Sequence, residues 1–181
     1  MTDASPVPNY SVLMTAAFAL ALVASVMLKF WLATRQVRHV AQHRATVPAA
    51  FQAQISLEAH HKAADYTIAQ GRLGLLELAF GTAVTLGWTL LGGLNTLNQT
   101  LLSWFNTSLD SALPQQLALL GAFGLIGAII DLPFALYRTF VLEQRFGFNR
   151  MTAQLWIGDT LKGLMFSVVI GLPLAALALW V

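Results

Sequence analysis

The stretch LALLGAFGLIGAIIDLPFALY, residues 117–137, carries one charged side chain, Asp131. A helix of about 20 residues crosses the hydrocarbon core of a bilayer, which is about 30 Å thick. An apolar run of this length favours a membrane-spanning helix over a helix buried in a soluble domain. The segment is therefore a candidate transmembrane span.

Three further apolar runs have similar length, at residues 12–31, 73–94 and 164–181. The whole chain of 181 residues is 57% hydrophobic and 10% charged. A soluble globule of this composition would lack enough polar surface to cover itself. We therefore predict an all-α, polytopic membrane protein with about four transmembrane helices, in which residues 1–181 form one multi-helix domain in contact with lipid.

The basic residues fall in two connections. All ten lie at or between the ends of the first two predicted spans or around the last two, and they are Lys29, Arg35, Arg38, Arg44, Lys62, Arg72, Arg138, Arg145, Arg150 and Lys162. By the positive-inside rule, both connections are predicted to be cytoplasmic and the N-terminus to lie outside. We expect a bacterial inner membrane. The net charge of +2 is explained by this pattern and does not indicate nucleic-acid binding.

The first connection is long enough to hold helices of its own. The residues after the first span continue its pattern until they are interrupted before Pro48. Residues 51–71 then predict a second, moderately amphipathic helix that stops at Gly71. We expect these cytoplasmic amphipathic helices to pack on other protein at the membrane surface.

Two acidic residues lie inside predicted spans. Glu77 follows Arg72 by five residues and Asp131 precedes Arg138 by seven, so each lies near the cytoplasmic end of its helix. Because an ionised carboxylate facing lipid is costly, such groups generally face a bundle interior or a water-filled cavity. One hypothesis is that Glu77 and Asp131 line a shared polar chamber; the other is that each snorkels to the interface or pairs with an arginine.

No metal site is predicted from the residues of this chain. His39 and His43 in HVAQH have the helical spacing of two zinc ligands, but the position that HExxH fills with a catalytic glutamate is Val40. The chain has no cysteine, so thiolate ligands are also absent. We interpret the histidines as surface residues.

A block from residue 132 to 163, LPFALYRTFVLEQRFGFNRMTAQLWIGDTLKG, resembles the N-terminal membrane domain of the type 1 CAAX prenyl proteases. The residues that carry the resemblance are Pro133, Phe134, Tyr137, Phe140, Glu143, Phe146, Gly147, Phe148, Asn149, Thr152, Asp159 and Lys162. A second block, HHKAADYTIAQGRL at residues 60–73, matches through Lys62, Asp65 and Tyr66.

The resemblance implies a zinc metalloendopeptidase that cuts prenylated C-terminal peptides and related membrane substrates. Members of that family continue into a catalytic domain with HExxH, and their membrane helices enclose a large chamber. This chain has no HExxH, so no catalytic residue or zinc ligand is assigned to it, and the chain alone is expected to be inactive. We expect it to be an N-terminal piece, with zinc and the substrate bound in the full-length enzyme.

The residues between the last two spans are candidates for docking the catalytic domain. They are Glu143, Arg145, Phe146, Gly147, Phe148, Asn149, Asp159 and Lys162. Gly147 permits a tight bend, Asn149 can hydrogen-bond the turn, and Thr152 is a predicted N-cap of the next helix. Two other interpretations stay open: an ordinary interfacial loop, and, for the whole chain, a self-contained membrane bundle that acts as an assembly partner or small-molecule carrier.

Overall fold

The computed structural model describes residues 10–105 and 112–180, and within them it contains helices and no strand. Five α-helices follow one another along the chain, with one 3-10 helix and one π-helix between them. They are α1 (Tyr10–Gln42), the 3-10 helix (Ala49–Phe51), α2 (Leu57–Thr89), α3 (Gly93–Phe105), α4 (Ala112–Leu136), the π-helix (Tyr137–Glu143) and α5 (Ala153–Trp180). The predicted all-α fold is confirmed.

Three of these helical segments are long and apolar enough to cross a membrane, namely Tyr10–Gln42, Leu113–Glu143 and Ala153–Trp180. A fourth candidate is the pair Leu57–Thr89 and Gly93–Trp104, which is bent by 54°. The described part of the chain thus has three or four candidate spans, in the places that the hydropathy pattern predicts. The protein is a multi-pass integral membrane protein.

Few side chains are buried, as expected for helices that are surrounded by lipid. Only four side chains in the described ranges are buried, Ala64, Leu73, Leu101 and Leu142, whereas large apolar side chains are exposed on every long helix. Lipid tails are as apolar as leucine, so a membrane helix gains little by hiding such residues from its surroundings.

The described residues up to Thr82 form one compact unit, and those from Ala83 form a second. In the first unit, the end of α1 and the start of α2 are joined by polar contacts. Arg44 meets Asp65 through two N–O contacts, Nε to Oδ1 and Nη2 to Oδ2, each 2.7 Å long. The His60 ring nitrogen Nε2 donates to the carbonyl of His43 at 3.1 Å. These contacts close the turn that contains the 3-10 helix.

Gly71 does not end a helix, so that prediction is wrong. α2 begins after Ser56, whose hydroxyl accepts a hydrogen bond from the Ala59 N–H at 3.2 Å, and continues through Gly71 into the apolar segment. A β-carbon built at Gly71 would overlap the Val37 side chain of α1. The glycine is therefore required for the close approach of two helices, a role that local sequence cannot distinguish from helix termination.

In the second unit, α4 contacts both α3 and α5. Trp88 near the end of α2 packs edge-on against Phe123 of α4, with ring centroids 5.1 Å apart. Pro133 lies inside α4, and the helix widens into the π-helix one turn later. Proline lacks the N–H that an α-helix needs at that position, and π segments are found where the regular ladder is interrupted and often at functional sites.

Candidate functional site

The site is built around the connection between the π-helix and α5, residues 144–152, which we call the GFN turn after Gly147, Phe148 and Asn149. The Glu143 carbonyl accepts from the N–H groups of Phe148 at 2.9 Å and Asn149 at 3.2 Å. The Gly147 N–H donates to the Gln144 carbonyl at 3.0 Å. Gly147 has φ 70°, so this is a Schellman motif with glycine in the left-handed position that favours it. The predicted tight bend is confirmed.

The second half of the GFN turn starts α5. The Asn149 side-chain oxygen Oδ1 accepts from the Met151 N–H at 2.6 Å, which holds the turn as predicted. The Thr152 hydroxyl accepts from the Leu155 N–H at 3.3 Å, and its carbonyl accepts the first helical bond from Trp156 at 2.9 Å. Thr152 is thus the N-cap of α5, in agreement with the prediction.

Aromatic contacts fix the elements on either side of the GFN turn. Phe140 of the π-helix meets Trp156 of α5 edge-on, with centroids 6.2 Å apart. Leu142 of the π-helix is buried, with 5% of its surface exposed. The Arg145 guanidinium lies 5.8 Å from the centroid of the Phe146 ring. Edge-to-face pairs of this kind contribute about 0.5–1.5 kcal/mol beyond the area they bury, so the turn is held by more than its backbone bonds.

An open cleft of about 360 Å³ lies beside the turn and has both polar and apolar walls. Its lining residues are Thr139, Glu143, Phe148, Asn149, Arg150, Met151 and Leu155. Glu143 is half-buried there, and Phe148 is 51% exposed. In the described part of the chain, Glu143 and Arg145 form no ion pair with each other. A carboxylate, a cation and an aromatic ring are therefore presented around one rigid turn.

Asp159 and Lys162 lie one turn apart on α5 and are both largely exposed. Lys162 Nζ is 3.5 Å from Asp159 Oδ1, and the two side chains are 68% and 51% exposed. An exposed pair with this geometry contributes about 1 kcal/mol or less to stability. The structure places these two predicted residues on the helix that follows the GFN turn, outside the lining of the cleft.

The two carboxylates predicted inside the spans lie on separate elements. Glu77 is half-buried on α2, in the first compact unit. Asp131 is exposed on α4, two residues before Pro133, in the second unit. Their common chamber stays a prediction.

The residues present do not fit a zinc ion. Within residues 10–105 and 112–180, no group of three or more His, Cys, Asp or Glu side chains could hold a metal. The His39 and His43 rings are tilted by 40° with centroids 4.2 Å apart, and the ring nitrogen Nδ1 of His43 donates to the His39 carbonyl at 2.9 Å. His43 therefore hydrogen-bonds the last turn of α1.

Sequence reasoning missed the partner of Asp65. Asp65 lies in the second matching block, yet its contact with Arg44 joins positions on two helices and cannot be read from local pattern. One feature of the sequence indicates this contact: the connection between the end of α1 and the start of α2 is short enough to bring the two helices together. The π-helix was missed as well, although Pro133 lies in α4, the helix that leads directly into it.

An apolar helical domain with a rigid, glycine-centred turn at its polar end defines a membrane-embedded scaffold. A family model described as the CAAX prenyl protease N-terminal domain, with five membrane helices, matches residues 36–181. The chain belongs to this family, as its resemblance predicts.

Individual relatives show the same assignment. The chain is 28% identical over 163 residues to CAAX prenyl protease 1 of Saccharomyces cerevisiae, an alignment that covers 87% of this chain and 36% of that protein. It is 47% identical over 53 residues to a CAAX prenyl protease 1 homolog of Arabidopsis thaliana, covering 29% of this chain and 12% of the homolog. The crystal structure of S. mikatae Ste24p superposes with a TM-score of 0.80 at 25% identity, covering 96% of this chain and 39% of that one. The chain therefore spans less than half the length of these relatives.

Proposed function

We propose that this domain is the membrane-embedded N-terminal part of a zinc metalloendopeptidase that cuts prenylated C-terminal peptides. The observation that carries the proposal is the match of the fold to Ste24p over 96% of this chain, together with the family model over residues 36–181. Two curated relatives are named as a CAAX prenyl protease 1 and a probable CAAX prenyl protease 1, and the alignments cover about a third of their length, 36% and 32%. Its own part in the reaction is to enclose substrate and to hold the catalytic domain in place.

The GFN turn is the proposed support for that catalytic domain. Its backbone is fixed at both ends, by the Schellman motif at Gly147 and by the Thr152 cap. Around it, Glu143, Arg145 and Phe148 offer a carboxylate, a guanidinium and an exposed ring to an approaching surface. A rigid element of mixed polarity holds a partner in register better than a mobile loop does, because little conformational entropy is lost on contact.

Zinc would be held outside the described residues. Since none of their side-chain clusters fits the ion, the proposal requires an HExxH motif and a further acidic ligand in the catalytic domain of the full-length enzyme. The residues described here orient and enclose the substrate and hold no metal.

The proposed orientation puts both basic connections on the cytoplasmic face, in a bacterial inner membrane. The cation–π contact at the end of the first apolar run supports the position of the boundary, because the Arg35 guanidinium lies 5.4 Å from the Trp31 ring centroid. Aromatic and basic side chains together are typical of a membrane interface. Asp131 then lies near the cytoplasmic end of α4, and Glu77 lies near the start of the apolar part of α2, where an aqueous cavity would solvate their carboxylates.

The activity is tested on the protein encoded by the whole natural reading frame that contains residues 1–181. The purified, detergent-solubilised protein is expected to cleave a farnesylated CAAX peptide, to lose cleavage when zinc is chelated, and to regain it when zinc is returned. The glutamate of its HExxH motif, replaced by glutamine, serves as the matched inactive control. A reading frame without HExxH, or a folded, zinc-loaded protein that leaves prenylated and unprenylated peptides uncut, contradicts the proposal.

A further inference from the structure

Helix α3 has two distinct faces. One carries mainly apolar residues, namely Leu94, Leu97, Leu101, Leu102 and Trp104, with Asn98 among them, and the other carries small polar residues, namely Asn95, Thr96, Gln99 and Ser103. This spacing is that of an amphipathic helix at the boundary of two solvents. Residues 78–109 contain no acidic, basic or histidine side chain, so neither face is charged.

A hydrogen bond joins α3 to the beginning of α4, and one leucine of α3 is buried. Leu101, 7% exposed, is buried in the second compact unit. Gln115 Nε2 donates to Asn98 Oδ1 at 3.0 Å in a partly buried position. A hydrogen bond and an apolar anchor on the same helix determine which residues of α3 are left to face outward.

The depth of this contact in the membrane follows from the length of α4. Gln115 lies about 34 Å from Arg138 along the helix at about 1.5 Å per residue. Arg138 lies in the π-helix that continues α4, at the polar end of the span Leu113–Glu143. Since the hydrocarbon core is about 30 Å thick, Gln115 is expected just beyond its opposite boundary. The 54° bend between α2 and α3 turns α3 away from the direction of α2 at this level.

The outward-facing residues of α3 and the connection that leads into it from α2 are strongly apolar. Trp104 is 76% exposed, Leu91 is 82% exposed and Leu94 is 44% exposed. Full burial of one such side chain contributes about 1.5–3 kcal/mol, so a water-exposed position would forgo several kcal/mol. Tryptophan is enriched where headgroups meet acyl chains, because its ring is apolar and its N–H can still hydrogen-bond.

We infer that α3 is an in-plane anchor, which lies at the headgroup–acyl boundary on the side opposite the basic connections and binds lipid through Trp104 and Leu94. Lipid is the occupant because the surface is continuous with an apolar span and lies at the depth of the interface. Since the segment is uncharged, binding does not require anionic lipid. The inference rests on the membrane fold and is independent of the proposed peptidase function.

The test places one spin label on each face of α3. The chain has no cysteine, so Trp104→Cys and Gln99→Cys each give a single labelling site. The protein is reconstituted in vesicles of phosphatidylcholine alone and of phosphatidylcholine with phosphatidylglycerol, and collisions with oxygen and with a water-soluble nickel chelate are measured. The logarithm of the oxygen-to-nickel collision ratio is expected to be positive at position 104 and negative at position 99, with the same signs in both lipids.

Other patterns overturn the inference. Positive values at both positions would place α3 inside the hydrocarbon as a re-entrant or spanning segment, and negative values at both would place it in water. Low collision rates with both reagents at position 104 would show that protein, for example a second copy of the chain, covers this face. Leu94→Cys reports on the same face and replaces Trp104→Cys if the latter does not fold, as judged by its helical circular dichroism.

Discussion

Replacing Gly71 by alanine is expected to lower the thermal stability of the detergent-solubilised domain, whereas the same change at Gly74 is expected to raise it. A β-carbon at Gly71 overlaps the side chain of Val37, but one at Gly74 meets no atom within 4 Å. Valine is stiff at χ1 in a helix, so it cannot turn aside at little cost. Overpacking of this kind costs about 1–3 kcal/mol, while a glycine-to-alanine change in an open helical position gains about 1 kcal/mol.

A double variant separates the clash from other effects of the change. Val37→Ala removes the methyl group that the new β-carbon would meet, so Gly71→Ala combined with Val37→Ala should unfold at a higher temperature than Gly71→Ala alone. Thermal unfolding followed by circular dichroism in one detergent measures all four proteins. Equal midpoints for Gly71→Ala and Gly74→Ala would contradict the close approach of α1 and α2.

Replacing Gly147 by alanine is expected to weaken both the stability of the domain and peptide cleavage by the full-length protein. Gly147 has φ 70°, a left-handed conformation that costs a residue with a β-carbon about 1–2 kcal/mol. Relief of this strain would disturb the hydrogen bonds of Phe148 and Asn149 to the Glu143 carbonyl, and with them the proposed support of the catalytic domain.

Two further variants show whether backbone conformation is the cause. Gly147→Asn adds a larger side chain but should be tolerated better than Gly147→Ala, because asparagine enters the left-handed region more readily. Gly158→Ala on α5, where a β-carbon meets nothing within 4 Å, should be neutral or stabilising. A loss of cleavage with Gly147→Asn that equals or exceeds the loss with Gly147→Ala would refute an effect of φ.

Local chemistry was sufficient to predict much of the fold and of the turn. Apolar runs of bilayer length gave the long helices, and the residue types at Gly147, Asn149 and Thr152 gave the bend, the side-chain bond and the cap, because each of these depends on neighbours within a few residues. The prediction that was wrong depended on a contact between residues far apart in the sequence. Gly71 was misread since its partner Val37 lies on another helix.

The same reason explains what was missed or stays open. The contact of Arg44 with Asp65 requires two helices to meet, and it could not be derived from either segment alone. Exposed side chains such as Lys162 carry a family resemblance but few contacts in the described residues, so their proposed docking role depends on a partner surface. The roles of Glu77 and Asp131 depend on where water enters the membrane domain. The pattern of apolar residues along the sequence does not reveal this.

We propose that the membrane domain keeps both basic connections on one face and that water reaches the carboxylates of Glu77 and Asp131 from that face. Single cysteines in this cysteine-free chain, labelled with a membrane-impermeant maleimide in sealed right-side-out and inside-out vesicles, test it most directly. We predict that Arg44→Cys, Arg145→Cys, Glu77→Cys and Asp131→Cys react only when the cytoplasmic face is accessible. Leu76→Cys, next to Glu77 and 64% exposed on α2, is expected to be covered by lipid and not to react. Reaction of Arg44→Cys and Arg145→Cys from opposite faces would contradict the proposed topology, and protection of both Glu77→Cys and Asp131→Cys would contradict a water-filled chamber.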